Sequence, residues 1–508
     1  MCGIICVFGN KLPSATNTLK HRGPDDFNTM KNEKCYMEFS RLSINDISES
    51  GMQPFCENGG MLVCNGEIYN HKDIEEREIT IGESDCECLI SSIQKYGITQ
   101  TVDKIRGVFA LCYADNDKMY AARDPIGVRP LFYTRFDGGI AMASEMKALM
   151  EYNTKIEIFP PGHFYDSTTD KFTCYYNLNW KLSDKNIKNP CKHIKTEFIR
   201  AVKRRVENTE RESAFLLSGG LDSSLVCAVA SKMKDKINTF SIGMENSPDG
   251  EAAKKVAEYL DTNHTHVNFD ITEGIRSIED VIKSLETYDP TTIRASTPMW
   301  ILLKYISEKT DYKVIMSGEG SDELFGGYLY FHNAPSTKEF HEETIRLLKQ
   351  LHQYDVLRSD RCAAAHGLEI RVPFLDRDFI DCVMGKIDQT LKYKKGIVEK
   401  WILRKTFKNE LPEDILWRQK DAFSDAVGYS WIGEIKEHAE YLINDEEFEV
   451  IKNKANGVNV PLTKEEAMYR KIFWKHFGNN DHILDTVWRP KWTNETDPSA
   501  QYLKNKSI

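Results

Sequence analysis

Residues 214–217, Ala-Phe-Leu-Leu, run directly into Ser218-Gly219-Gly220-Leu221-Asp222-Ser223-Ser224, and an apolar-periodic stretch through Leu225, Val226 and Val229 follows. No other feature of the chain constrains its fold as strongly. A short apolar run that ends in glycines and hydroxyl residues and then opens a helix reads as the first turn of a strand–loop–helix unit. Glycines let the backbone approach oxyanions closely, and consecutive N–H groups at a helix N-terminus attract phosphate. Ser223 and Ser224 add hydroxyl donors. No Walker A lysine stands in the loop, so it is not a P-loop of the GTPase kind.

Two further apolar runs, residues 237–242 and 314–316, also end in small or polar residues, with long helical patterns between. This alternation predicts an α/β parallel sheet with helices on both faces and ligands outside the carboxyl ends of its strands. Ser317-Gly318 falls at such an end and continues as Glu319-Gly320-Ser321-Asp322-Glu323. Three carboxylates beside bound phosphates repel them unless metal ions intervene, so Mg²⁺ is expected here, linked to Asp222 and Asp322. From residue 339 the pattern is largely helical, and residues 488–508 read as an irregular tail.

The first half differs. Residues 62–64, 108–113, 119–122 and 139–143 are short apolar or alternating runs with turn residues between many of them, the signature of many short strands. Residues 177–190 are polar, rich in lysine and closed by Pro190, a linker composition. The expected domains are therefore 2–180 and 190–508, since 508 residues exceed one ordinary domain. A formal charge of −10 lacks the basic excess of a general nucleic-acid binder, and no apolar run reaches the length of a membrane span. The N-terminus shows neither a basic leader nor a cleavage pattern. Thirteen cysteines, an odd number without zinc-finger spacing, read as reduced and mostly buried thiols of a cytoplasmic protein.

At the N-terminus stands Met1-Cys2-Gly3-Ile4. Removal of Met1 would leave a thiol beside its own α-amino group, which titrates near about 7.7–8.0 and can serve as a base. One residue then supplies both nucleophile and proton acceptor. His21-Arg22-Gly23-Pro24-Asp25 reads as a tight turn; Arg41-Leu42-Ser43-Ile44-Asn45, Asn65-Gly66-Glu67-Ile68-Tyr69-Asn70 and Ser84-Asp85 follow in order. These are parts that hydrolysis of an amino-acid side-chain amide needs. An Asn amide and a glycine N–H can hold an oxyanion, an Arg fork can hold an α-carboxylate, and carboxylates can hold an α-ammonium.

This set resembles the N-terminal-nucleophile class of glutamine amidotransferases. The resemblance implies an α+β domain of four αββα layers. It implies Cys2 as nucleophile, Asn65 and Gly66 as oxyanion hole, Arg41 at the glutamine α-carboxylate, and Glu67 and Asp85 near the ammonium, with Leu42, Ser43, Ile44 and Asn45 along the substrate. Asp26-Phe27-Asn28 departs from the family, which often has Gly there, and is expected to be a locally different loop.

The loop at residues 218–224 resembles that of ATP-pyrophosphatases, which cleave ATP to AMP and pyrophosphate. Together with Tyr354-Asp355-Val356-Leu357-Arg358, residues 366–376, residues 417–425 and the tail at 488–500, it resembles the asparagine synthetases, the animal-like form in particular. By that resemblance Leu217, Ile242, Ser317 and Gly318 frame AMP, and Ser218, Gly219, Gly220, Asp222 and Ser223 hold pyrophosphate. Glu319 acts close to a β-aspartyl-AMP intermediate as proton acceptor, Asp355 and Arg358 form the aspartate side, and Lys420 contacts phosphate. Asp421 and Ala426 depart from the family's usual Glu and Gly, and loops such as 71–82 are shorter than usual. The implied reaction joins aspartate, ATP and glutamine into asparagine, AMP, pyrophosphate and glutamate, with ammonia passing between two sites. The expected partners are these small molecules, without nucleic acid or membrane and with a homodimer left open. The rivals are another adenylating amidotransferase of this architecture and a non-catalytic nitrogen-sensing relative.

Overall fold

The structure is a computed structural model, and it describes all residues except 15, 75–83, 183–186, 246, 393–397, 420–429, 495–496 and 498–508. The chain forms two compact units. The first comprises Met1–Leu178 with the short segments Glu207–Glu212 and Ala363–Ile370; the second comprises Asn179–Val206, Ser213–Cys362 and Arg371–Ile508. Two segments from the later chain thus belong to the first unit, which no single break along the sequence expresses.

The first unit is built on two six-stranded sheets. One runs Ile156–Ile158, Phe132–Phe136, Gly139–Ala143, Gly3–Gly9, Cys35–Arg41, Asp26–Lys31; the other runs Lys171–Cys174, His163–Asp166, Met119–Arg123, Gly107–Ala114, Gly60–Ile68, Phe55–Glu57. Strand side chains alternate between faces. Ile4, Cys6, Met37 and Phe39 of the first sheet share a core with Met61, Val63, Ala110 and Cys112 of the second, so the sheets pack face to face. Leu62, Cys64, Phe109 and Leu111 point the other way, onto Leu89, Ile90 and Ile93 of the helix Cys88–Lys104. The 3-10 segment Met146–Tyr152 packs against the strands Phe132–Phe136 and Gly139–Ala143.

Asp26-Phe27-Asn28 is not a loop. It opens the edge strand Asp26–Lys31, whose Asp26 pairs with Arg41. Exposed polar edges carry little apolar signal, which is why the sequence reads there as a loop.

The second unit holds a sheet in the order Asn263–Asn268, Asn238–Gly243, Ser213–Leu216, Val314–Met316. The pairings among these strands are parallel. The edge strand Asn263–Asn268 has no buried side chain and is polar along its length, so the sequence gives no apolar run there. Helices Leu221–Ala230, Pro248–Tyr259 and Ile271–Leu285 follow strands as the alternation predicts, and a helical part fills the C-terminal region. No helix among the described residues is long and apolar enough to cross a membrane.

Candidate active sites

In the first unit, strand alternation aims the site. Cys2 continues the face of Ile4 and Cys6, Arg41 that of Met37 and Phe39, and Asn65 and Glu67 that of Met61 and Val63. All four therefore emerge at strand ends on the two facing inner surfaces. Gly3 pairs with Ser40, which sets Cys2 alongside Arg41. Cys2 Sγ accepts from Leu42 N at 3.4 Å, and Cys2 O accepts from Arg22 Nε at 2.9 Å. Arg22 is itself clamped by Glu145 at 2.8 Å. Burial pushes the Cys2 thiol up to about 11, against the pull of the Met1 amine and the Leu42 N–H.

Asn65 is 1% exposed, and its Nδ2 has no hydrogen-bond partner among the described residues. A buried amide nitrogen without a partner is costly, so this donor is open to a further hydrogen bond. Arg41 spends two guanidinium donors on the carbonyls of Ser48, at 2.8 Å, and Asp46. Glu67 Oε2 accepts from Asn45 Nδ2 at 2.8 Å and from Asn208 Nδ2 at 3.0 Å. Asp85 Oδ2 accepts from Ile68 N at 2.6 Å and so fixes the end of the strand that carries Asn65 and Gly66. Ser43 N donates to Asp25 at 2.9 Å, and Ser43 O accepts from Arg211 at 3.1 Å. Asn208 and Arg211 escaped the sequence reading because they lie beyond the linker; nothing in their local pattern marks them.

Met1 is buried rather than frayed. Its amine donates to Leu368 O at 3.0 Å and is lowered to about 5, chiefly by burial.

In the second unit, a cavity at the carboxyl ends of the strands is lined by Leu217, Ser218, Asp222, Ser223, Ile242, Ser317, Gly318, Glu319, Asp322, Asp355 and Arg358. The sequence had singled out all of these. Gly219 has φ +74°, and a Cβ there would stand 2.4 Å from Ala253 N, so only glycine fits the turn. Ser223 Oγ accepts from Ser218 N at 3.1 Å and holds the loop around the start of the helix Leu221–Ala230. Gly219 and Gly220 lie in the same loop; Gly220 lines an adjoining cavity instead. Lys420 lies outside the described residues.

The acidic cluster is neutralised differently from the sequence argument, which invoked metal alone. Arg358 Nη2 lies 2.6 Å from Glu319 Oε2 and 2.8 Å from Asp355 Oδ1. Lys400 Nζ lies 2.5 Å from Asp222 Oδ2 and 2.7 Å from Asp322 Oδ1. Tyr328 OH donates to Glu323 at 2.5 Å and reaches Asp355 at 3.1 Å. Burial, with Asp355 and Asp322 near, pushes the Glu323 carboxyl well above the usual range. Burial opposes the Arg358 charge, but Asp355 and Glu319 hold its pKa above the ordinary value. Two internal cations, and one carboxyl whose charged form burial disfavours, therefore let five acids share one site. Lys400, Glu323 and Tyr328 were not assigned roles from sequence. Lys400 sits in an ordinary helical pattern of charges, and only the fold delivers it to Asp222.

Comparison with known proteins gives two family matches: a glutamine amidotransferase domain over residues 1–177 and asparagine synthase over residues 193–339 and 334–502. Asparagine synthetase [glutamine-hydrolyzing] 1 of Arabidopsis thaliana is 40% identical, over 99% of this chain and 93% of that protein. A probable asparagine synthetase of Acanthamoeba polyphaga mimivirus is 40% identical over 99% of this chain and 100% of its own. The Dictyostelium discoideum counterpart is 40% identical over 99% of both. The chain belongs to the glutamine-hydrolysing asparagine synthetases.

Proposed function

We propose that this chain makes L-asparagine from L-aspartate, ATP and L-glutamine, releasing AMP, pyrophosphate and L-glutamate. The observation that carries the reading is the buried Asn65 Nδ2, unpartnered among the described residues, on the sheet face that packs against the sheet of Cys2, since an amide hydrolase needs just such a donor for its oxyanion. Once Met1 is removed, the α-amine of Cys2 takes the thiol proton and Sγ attacks the glutamine amide carbon. Asn65 Nδ2 and Gly66 N hold the oxyanion. The unspent donors of Arg41 take the α-carboxylate, and Glu67 and Asp85 face the ammonium. Ammonia leaves as the thioester forms, and water then releases glutamate.

At the second site Leu217, Ile242 and Gly318 bed the nucleotide, and the N–H groups of residues 218–223 bind its phosphates. Arg358 orients aspartate, whose β-carboxylate attacks the α-phosphorus; pyrophosphate leaves. Ammonia then attacks the β-aspartyl-AMP carbonyl, Glu319 accepts the proton, and AMP leaves as the acyl–oxygen bond breaks. Asp222 Oδ1 is buried without a partner among the described residues, and Asp222 and Asp322 converge on one ammonium, an oxygen set that suits Mg²⁺. The ion would supply charge neutralisation at the pyrophosphate oxygens. Thirteen cysteines, none of them in a disulfide, support a reducing, cytoplasmic setting.

Purified protein given ATP, aspartate and glutamine is expected to release asparagine, AMP and pyrophosphate in equal amounts. Glutamine hydrolysis without any asparagine would overturn the reading.

A further inference from the structure

Lys400 occupies an unusual place. It is 1% exposed, and its ammonium touches both carboxylates assigned to the metal. Its backbone is left-handed, with φ +56°, at the start of the helix Trp401–Thr406. A non-glycine residue held in that region stays there only because its surroundings impose it, and such strain gathers at functional sites. The surroundings are tight: a Cβ on Gly327 would stand 2.0 Å from both Asp322 Oδ1 and Lys400 Cε. The chain thus makes room for this ion pair at a position where any larger residue would break it.

The ammonium also has somewhere else to go. Lys400 lines a second cavity with Gly220, Arg404 and Arg418, and this cavity shares Ser218, Asp222 and Ser223 with the nucleotide cavity. Arg418 is held there by Asp249 at 2.7 Å. Phosphate oxygens arriving on the loop would meet Lys400 from that side. A lysine suits an exchange of partners, being a point charge on a flexible stem with no fixed fork geometry.

We propose that Lys400 is an internal counter-ion that bars a free divalent cation from Asp222 and Asp322, so that the metal enters only together with nucleotide. The inference rests on the reading of those two aspartates as metal-linked. Without phosphates, a cation must part a buried ammonium from both of its carboxylates, and a buried charge stripped of its partners is strongly disfavoured. With the triphosphate in place, Lys400 exchanges carboxylate for phosphate oxygens and both aspartates become available. Order of binding is thereby set by a residue of the protein rather than by the metal's intrinsic affinity.

The test uses Mn²⁺, followed by electron paramagnetic resonance, on the full-length protein with and without an ATP analogue carrying a methylene between the α- and β-phosphorus. Wild type is expected to take up Mn²⁺ with the analogue and not without it. Lys400→Met should bind Mn²⁺ without nucleotide at least roughly tenfold more tightly than wild type, and its melting temperature should rise with Mn²⁺ by mass action. Lys400→Arg, which keeps the charge, should still exclude Mn²⁺ when nucleotide is absent. Nucleotide-free wild type that binds Mn²⁺ as tightly as Lys400→Met would overturn the proposal. Should Lys400→Met not fold even with Mn²⁺, the wild-type pair of titrations decides: equal Mn²⁺ affinity with and without the analogue overturns the gate. Absence of Mn²⁺ binding in every form, analogue included, removes the metal assignment of Asp222 and Asp322 and the gate with it.

Discussion

Arg358 Nη2 lies 2.6 Å from Glu319 Oε2. In this state the carboxylate proposed as proton acceptor is held by the residue proposed to bind aspartate. Arrival of the aspartate carboxylate offers Arg358 a new partner and loosens its hold on Glu319, which couples substrate binding to the freeing of the base. Glu319→Gln keeps the shape and removes the basic oxygen. It is expected to retain β-aspartyl-AMP formation, read by hydroxylamine trapping or pyrophosphate release, while asparagine formation falls by roughly 10²–10⁴-fold. An equal fall in both would place Glu319 in the activation step.

The buried Asn65 amide leads to a second expectation. Asn65→Ala removes one oxyanion donor and should lower glutamine-dependent turnover by about 10²–10³-fold. Cys2→Ala should abolish it. Both variants should make asparagine from ammonium salts at the wild-type rate, because neither residue belongs to the second site. Loss of ammonia-dependent synthesis in folded Cys2→Ala would contradict the division of labour.

Met1 sits buried against Leu368 O, with a contact of 2.7 Å from Arg129 to its sulfur. A retained Met1 would leave the base on the wrong residue and the Cys2 thiol near its raised value of about 11, mostly neutral at physiological pH. Mass spectrometry of active protein is expected to find Cys2 as the first residue. Active protein that keeps Met1 would eliminate the α-amine as base.

Asp322→Asn removes one of the two carboxylates that meet at Lys400. AMP and pyrophosphate formation should be lost with glutaminase activity retained. Normal AMP release across a Mg²⁺ titration would show that Asp322 is structural.

His264, on the edge strand of the parallel sheet, bonds Thr239 and Ser241, each at 3.0 Å, and burial with His266 nearby lowers its pKa to about 4. Unfolded, it takes a proton near about 6.5. The unfolded chain therefore binds more protons between these values, and stability present above pH 6.5 is lost as pH falls toward 4. His264→Gln keeps the hydrogen-bonding reach without titrating, so its denaturation midpoint should depend less on pH across that window. An unchanged slope would assign the acid loss to other groups.

The sequence by itself determined the local chemistry. Apolar run, glycine turn and helix at residues 214–229 dictate a phosphate-attracting strand–loop–helix, because each part depends only on near neighbours. Strand alternation likewise dictates that Asn65 shares a face with Met61 and Val63. Edges were illegible: Asp26–Lys31 and Asn263–Asn268 carry polar side chains and become strands only because a partner strand lies beside them. Only the tertiary structure decided which distant groups meet. Asn208 reaches Glu67 across 141 residues and Lys400 reaches Asp222 across 178. Such ion pairs and buried amides are set by how packed elements converge, and no periodicity along the chain encodes the convergence.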